Sequence, residues 1–111
     1  MVFAVFDGHG GKEVADYAKE RFTPILISTP EFKNGKYKEA LIEAFQLIDL
    51  EIKQKDYGLD TGATSNVIYM NDNEIYCANA GDSRSVLYSN NKVFPLSEDH
   101  KPDNDGELAR I

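Results

Sequence analysis

The segment Asp7-Gly8-His9-Gly10-Gly11 sets a carboxylate, an imidazole and glycines directly after the apolar run Met1-Val2-Phe3-Ala4-Val5-Phe6. An apolar run without polar alternation predicts a strand covered on both faces, and the glycines let the backbone turn tightly or approach a ligand at its end. Asp7 is thereby delivered to the tip of a strand. Hard divalent cations such as Mg²⁺ and Mn²⁺ prefer oxygen donors, which the Asp7 carboxylate and the unhindered Gly8 carbonyl both supply. His9 can exchange a proton near neutral pH. The plainer reading is a connection, because Asp-Gly is a common turn dipeptide. Two further polar groups lie far along the chain, Ala80-Gly81-Asp82-Ser83-Arg84 and Glu98-Asp99-His100-Lys101-Pro102. Asp82 and Ser83 can bond their own turn, and Arg84 can pair with a carboxylate.

Between these groups the periodicity predicts the elements that hold them. Val14, Tyr17, Ala18, Phe22 and Ile25 recur at helical spacing opposite Lys12, Glu13, Asp16, Lys19 and Glu20, which predicts an amphipathic helix ending near Pro24. After a linker through Pro30 and Asn34-Gly35, Tyr37, Ala40, Leu41, Ala44, Phe45, Ile48 and Ile52 mark a longer helix whose stripe is core, with Asp49 on its polar flank. From Gly62 the period changes to two. Val67, Tyr69, Ile75 and Cys77 alternate around the turn Asn71-Asp72-Asn73, and strands at 85–89 and 92–96 flank Asn90-Asn91, which suits a type I′ turn. These strands are expected to form an antiparallel meander. Asp103 or Asn104 is placed to cap a last short helix through Ile111.

The chain has 111 residues, no internal repeat and no interdomain linker, which fits one α+β domain that buries about 65% of its unfolded surface. A net charge of −7 argues against nucleic acid and against an anionic membrane surface as partners. Cys77 is the sole cysteine, so an internal disulfide is excluded and an intracellular setting, cytoplasmic or nuclear, is the default. The apolar start is too short for a signal-peptide core, and no stretch approaches the ~20 apolar residues of a membrane span, so the sequence predicts a soluble protein.

Taken in order, Val5-Phe6-Asp7-Gly8-His9-Gly10-Gly11, Phe45-Gln46-Leu47-Ile48-Asp49, Gly62-Ala63-Thr64, Asn79-Ala80-Gly81-Asp82-Ser83-Arg84 and Asp99-His100-Lys101-Pro102 resemble the metal-dependent protein phosphatase 2C family over nearly the whole chain. Several motifs in one order are far more specific than any one of them. The resemblance implies part of an α-β-β-α sandwich, in which two antiparallel sheets pack face to face under outer helices, with residues 1–111 as a single, incomplete domain. It implies hydrolysis of phosphoserine and phosphothreonine proteins by a water activated between two Mg²⁺ or Mn²⁺ ions. In that scheme Asp7 bridges the ions, the Gly8 carbonyl binds one of them, and His9 is the general acid for the leaving oxygen. Asp82 matches an aspartate of a more weakly held third ion. Thr64 is expected to pack, although Ala63 stands where the family usually has a hydroxyl residue, and His100 and Asp49 are expected to serve structure.

The family pattern also includes a preceding strand with a phosphate-binding arginine and later aspartates that complete the first ion's shell, none of which falls within these residues. A single bridging carboxylate with waters holds two dications poorly, so weak metal binding and little turnover are expected of this chain alone. The competing expectation is an inactive phosphatase-like module that binds phosphoproteins or a partner enzyme. Incomplete sheets also predict self-association through exposed edges.

Overall fold

Hydrogen-bond register fixes which residues of each strand share a face, and the faces here have different fates. The computed structural model describes residues 1–57 and 60–101. Strand β1 (Val2–His9) pairs antiparallel with β2 (Gly62–Met70), which pairs antiparallel with β3 (Ile75–Ala80), giving the sheet order β1-β2-β3. Opposed residues in such ladders point to the same side. Val2, Ala4, Phe6 and Gly8 therefore share an inner face with Ala63, Ser65, Val67 and Tyr69, while Phe3, Val5, Asp7 and His9 share an outer face with Gly62, Thr64, Asn66 and Ile68.

The connection from β1 to β2 carries α1 (Glu13–Ser28), α2 (Pro30–Lys33) and α3 (Tyr37–Lys53), and these cover the inner face. Ala18, Phe22, Ile25 and Leu26 of α1 meet Ala40, Leu41, Ala44 and Ile48 of α3 over Val67 and Tyr69. Phe22 is the pivot, with ring centroids 5.9 Å from Phe6 and 5.4 Å from Phe45. At the opposite end Tyr69 sits 4.6 Å from Tyr37 and 5.4 Å from Phe32. Tilted and edge-on pairs of this kind add to simple area burial. On the outside, Glu51 of α3 accepts hydrogen bonds from Tyr17 and Arg21 of α1, tying the two helices across their seam.

Helix α1 continues four residues past Pro24, to Ser28, where the sequence predicts an end near the proline. An interior proline costs about 3 kcal/mol. Against that, Ile25 and Leu26 are only 4% and 1% exposed, and burying such side chains contributes about 1.5–3 kcal/mol each, so burial wins. The helix stops instead at Thr29, which precedes Pro30 and is extended at ψ 143°. Buried Thr29 serves both neighbours: its hydroxyl donates to the Leu26 carbonyl at 2.8 Å and accepts from the Phe32 amide at 3.2 Å, capping α2.

The turns are as their residues predict. Asn71 Oδ1 accepts from the amides of Asn73 and Glu74, both at 2.9 Å, and Asn90 and Asn91 take φ of 54° and 62° between β4 (Val86–Ser89) and β5 (Lys92–Pro95). Three differences from expectation stand out. First, α2 is a short additional helix in the predicted linker. Second, β4 and β5 form their own two-stranded sheet instead of extending a meander from β3. The chain leaves β3 at Gly81 with φ +109°, and Ser83 and Ser85 then bond to Asn66 on the outer face, carrying the hairpin off the sheet's edge. Third, β1 is covered on one face only: Phe3 and Val5 are 54% and 60% exposed, because the helices all lie on the inner side. The helix expected after Asp103 lies outside the described residues.

Phe22→Ala removes the ring that joins β1, α1 and α3, and is expected to lower unfolding free energy by about 3–5 kcal/mol in chemical denaturation. A loss under about 1 kcal/mol would contradict the packing assigned to it.

Candidate metal centre at the end of the sheet

Asp7, Gly8 and His9 are the last residues of β1, opposite Thr64, Ala63 and Gly62 of β2. Gly8 faces α1, where a Cβ would lie 3.3 Å from Ala15 Cβ. Its neighbours Asp7 and His9 are exposed on the outer face. His9 lies across β2: a Cβ on Gly62 would fall 2.5 Å from His9 Nε2, so the missing side chain at position 62 makes room for the imidazole. Beyond the strand, Gly10 takes φ +71° with the Asp60 carbonyl oxygen 2.5 Å from where a Cβ would stand. Only glycine makes that turn at that distance.

The Ser65–Ala80 pair sets the next rung, Thr64 opposite Gly81. A Cβ on Gly81 would meet Thr64 Cβ at 2.7 Å, and the Thr64 hydroxyl is 2.6 Å from that of Ser83. Thr64 thus links β1 to the turn that carries Asp82, a polar role where packing alone was expected. The structure brings Asp7, Gly8, His9 and Asp82 to one end of the sheet, on strands two spacings apart, about 10 Å between backbones.

Neither the Asp7 nor the Asp82 carboxylate has a hydrogen bond or ion pair among the described residues, and both residues are exposed. As hard, unengaged oxygens they fit Mg²⁺ or Mn²⁺ in kind. They fall short in number, since among the described residues no three His, Cys, Asp or Glu gather into a metal-holding group. A cavity of about 480 Å³ between the helices and the inner face reaches His9, but its wall is chiefly Phe6, Val14, Phe22, Phe45, Ile48 and Ile52, and of the aspartates only Asp49 lines it, not Asp7 or Asp82.

The remaining polar residues brace the Asp82 turn. Asn66, 4% exposed, donates to Asn79 Oδ1 at 3.0 Å and to Ser97 Oγ at 3.2 Å, and accepts from the Ser85 hydroxyl. Asn79 donates to the carbonyls of Gly81 at 3.1 Å and Glu98 at 2.9 Å. Arg84 forms a two-pronged pair with Asp99 at 3.0 and 2.6 Å, and this hydrogen-bonded guanidinium holds the Asp99 carboxyl below the usual carboxylate range. A lowered carboxylate stabilises the fold above its ordinary titration range, and that contribution fades as pH falls through the lowered value. Asp49, by contrast, pairs only locally, with Lys53 at 3.0 Å. Sequence reasoning placed Gly62 in a motif without its role beside His9, and missed Asn66. A glycine opening a strand and an asparagine amid alternating apolar residues were the available signals.

Comparison with known proteins identifies the family and the fold. The family model described as protein phosphatase 2C matches residues 1–111. "Probable protein phosphatase 2C 3" of Paramecium tetraurelia is 44% identical over 124 residues, covering 99% of this chain and 41% of that protein. "Protein phosphatase 2C homolog 2" of Schizosaccharomyces pombe is 47% identical over 112 residues, covering 98% of this chain and 30% of the relative. The chain therefore spans less than half the length of these relatives. The crystal structure of the Mycobacterium tuberculosis serine/threonine phosphatase PstP/Ppp superposes with a TM-score of 0.61 at 19% identity, over 89% of this chain and 44% of that one, a likeness of fold. With the family model matched over residues 1–111 and relatives 44–47% identical covering nearly all of it, the chain belongs to the protein phosphatase 2C family.

Proposed function

We propose that this chain supplies part of the catalytic centre of a metal-dependent protein phosphatase acting on phosphoserine and phosphothreonine in proteins. The observation that carries the reading is the juxtaposition of an unengaged Asp7 carboxylate and the His9 imidazole on one exposed strand end, in a chain of this family. The printed names of the relatives, and that of the fold neighbour as a serine/threonine phosphatase, support the substrate class.

Asp7 and the Gly8 carbonyl would hold two Mg²⁺ or Mn²⁺ ions, and Asp82 a weaker third. When bound, such ions acidify water and neutralise phosphoryl charge. The chain's own contributions are positional. Asp7 extends from a strand locked by pairing to β2, so its carboxylate starts from a fixed backbone. His9, resting over Gly62, is oriented to pass a proton from a ring nitrogen to the departing serine or threonine oxygen. Their exposure on the outer face leaves room for a phosphorylated segment of another protein.

An inactive, phosphoprotein-binding module is the second reading. The lack of a three-residue ligand group among the described residues favours it for this chain taken alone. An intracellular location, cytoplasmic or nuclear, accords with the single free Cys77. No helix among the described residues is long and apolar enough to cross a membrane. Self-association through the outer face is supported by exposed Phe3, Val5 and Ile75. Light scattering is expected to report assemblies, and a strictly monomeric chain would rule them out.

Calorimetric titration with Mn²⁺ tests the ligand assignment: Asp7→Asn is expected to weaken binding by about tenfold or more, and equal binding by both proteins would remove Asp7 from the site. Mn²⁺-dependent hydrolysis of a phosphopeptide should be slower for the 111-residue chain than for a longer polypeptide carrying this segment, by more than about tenfold. Rates closer than that would show the described donors to be sufficient. In the longer polypeptide, His9→Asn is expected to lower kcat by about 10²–10⁴. Gly62→Ala, which pushes the imidazole aside, should lower kcat in the same direction while Mn²⁺ affinity holds. A Gly62→Ala protein with unchanged kcat would dissociate the His9 pose from proton transfer.

A further inference from the structure

Asp82 combines an anchored backbone with an unanchored carboxylate. On one side, Gly81 is held by two bonds to a single residue: its amide donates to His100 Nδ1 at 3.1 Å, and its carbonyl accepts from the His100 amide at 2.8 Å. On the other side, Ser83 is held by the Thr64 hydroxyl at 2.6 Å and by Asn66, which donates to the Ser83 carbonyl at 3.5 Å. Further along the two segments, Arg84 grips Asp99 and the Ser85 amide donates to Ser97 Oγ at 3.1 Å. The segment 97–100 thus closes over 81–85 as a clasp. A loop that merely connected two hairpins would have no need of bonds on both sides of one exposed acid.

We infer that His100 is a positioning residue, whose Nδ1 and backbone amide fix the left-handed Gly81 and so aim the Asp82 carboxylate at its cation. Gly81 stands at φ +109°, a conformation glycine shares with many alternatives, so the backbone needs outside bonds to stay there. His100 supplies them from a residue 19 positions away, which makes the aim of Asp82 depend on the clasp and not on the turn alone. The inference rests on Asp82 being a metal ligand, and its consequences for the turn itself do not.

Because His100 is exposed, its substitution leaves the core intact. Backbone amide resonances of the 111-residue chain, titrated with MnCl₂, report ion binding at the turn through paramagnetic broadening. His100→Leu is expected to raise the Mn²⁺ concentration for half-broadening at 81–84 by about tenfold, whereas His100→Asn, which keeps an acceptor near the Nδ1 position, restores it. Hydrogen exchange at the Gly81 amide should be about fivefold faster in His100→Leu and near its original rate in His100→Asn. A fold defect alone would not be rescued by asparagine. Unchanged Gly81 exchange in His100→Leu overturns the inference whatever the metal does. Broadening that survives in Asp82→Asn removes Asp82 as the ligand, and with it the purpose assigned to His100. Faster Gly81 exchange with unaltered broadening also overturns it, leaving a purely structural clasp.

Discussion

The register of β2 is the constraint on which the other features depend. As the central strand it pairs on both edges, and because side chains alternate, a slip of one residue would turn Asp7 and His9 into the helices and bring Phe6 out. The inner face prevents that slip. Val67 and Tyr69 are buried against α1 and α3, and Phe6 packs on Phe22, so the core enforces the same register that aligns Asp7 with Thr64 and Thr64 with Gly81. Core packing and site geometry are two sides of one ladder.

The outer face follows different chemistry. At one end it carries the acids and His9, in the middle the buried Asn66 network with exposed Val5 opposite, and beyond that the apolar residues Phe3 and Ile75. Asn66 has a hydrogen-bond partner for each side of its amide, which is what makes a buried asparagine tolerable among apolar neighbours. The network also explains why the β4–β5 hairpin leaves the plane of the sheet. Its base is bonded to β2 from above, so the polar groups of 81–85 are satisfied there and not by pairing beside β3.

The donor set is sound in type and short in number. Two exposed carboxylates and a glycine carbonyl match hard cations, yet a dication seeks about six oxygens. The chain spans 41% and 30% of the Paramecium and Schizosaccharomyces relatives named above, and the likeness in fold to PstP/Ppp covers 44% of that protein. Sparse ligands and an apolar outer face left uncovered thus occur together in a chain spanning less than half the length of these relatives.

Much of the fold was legible because its signals are local. Apolar spacing located the helices at Glu13–Ser28 and Tyr37–Lys53, and the asparagine pairs marked both hairpin turns, since amphipathicity and turn chemistry need only neighbouring residues. The ordered glycine-aspartate motifs likewise pointed to the family before any coordinate. Other features depend on contacts between distant residues. Pro24 reads as a stop and is overruled by the burial of Ile25 and Leu26, and the apolar β1 reads as doubly covered until the placement of every helix on one side is known. Gly62 as a berth for His9, Asn66 as a polar hub and His100 as a partner of Gly81 arise only when register brings separate segments within hydrogen-bond reach. The sequence by itself determined which elements form and which oxygens are on offer, because those follow from residue type and local period. Tertiary structure alone decided where each acid stands and what braces it, because strand pairing and the choice of covered face are set by packing between elements far apart in the chain.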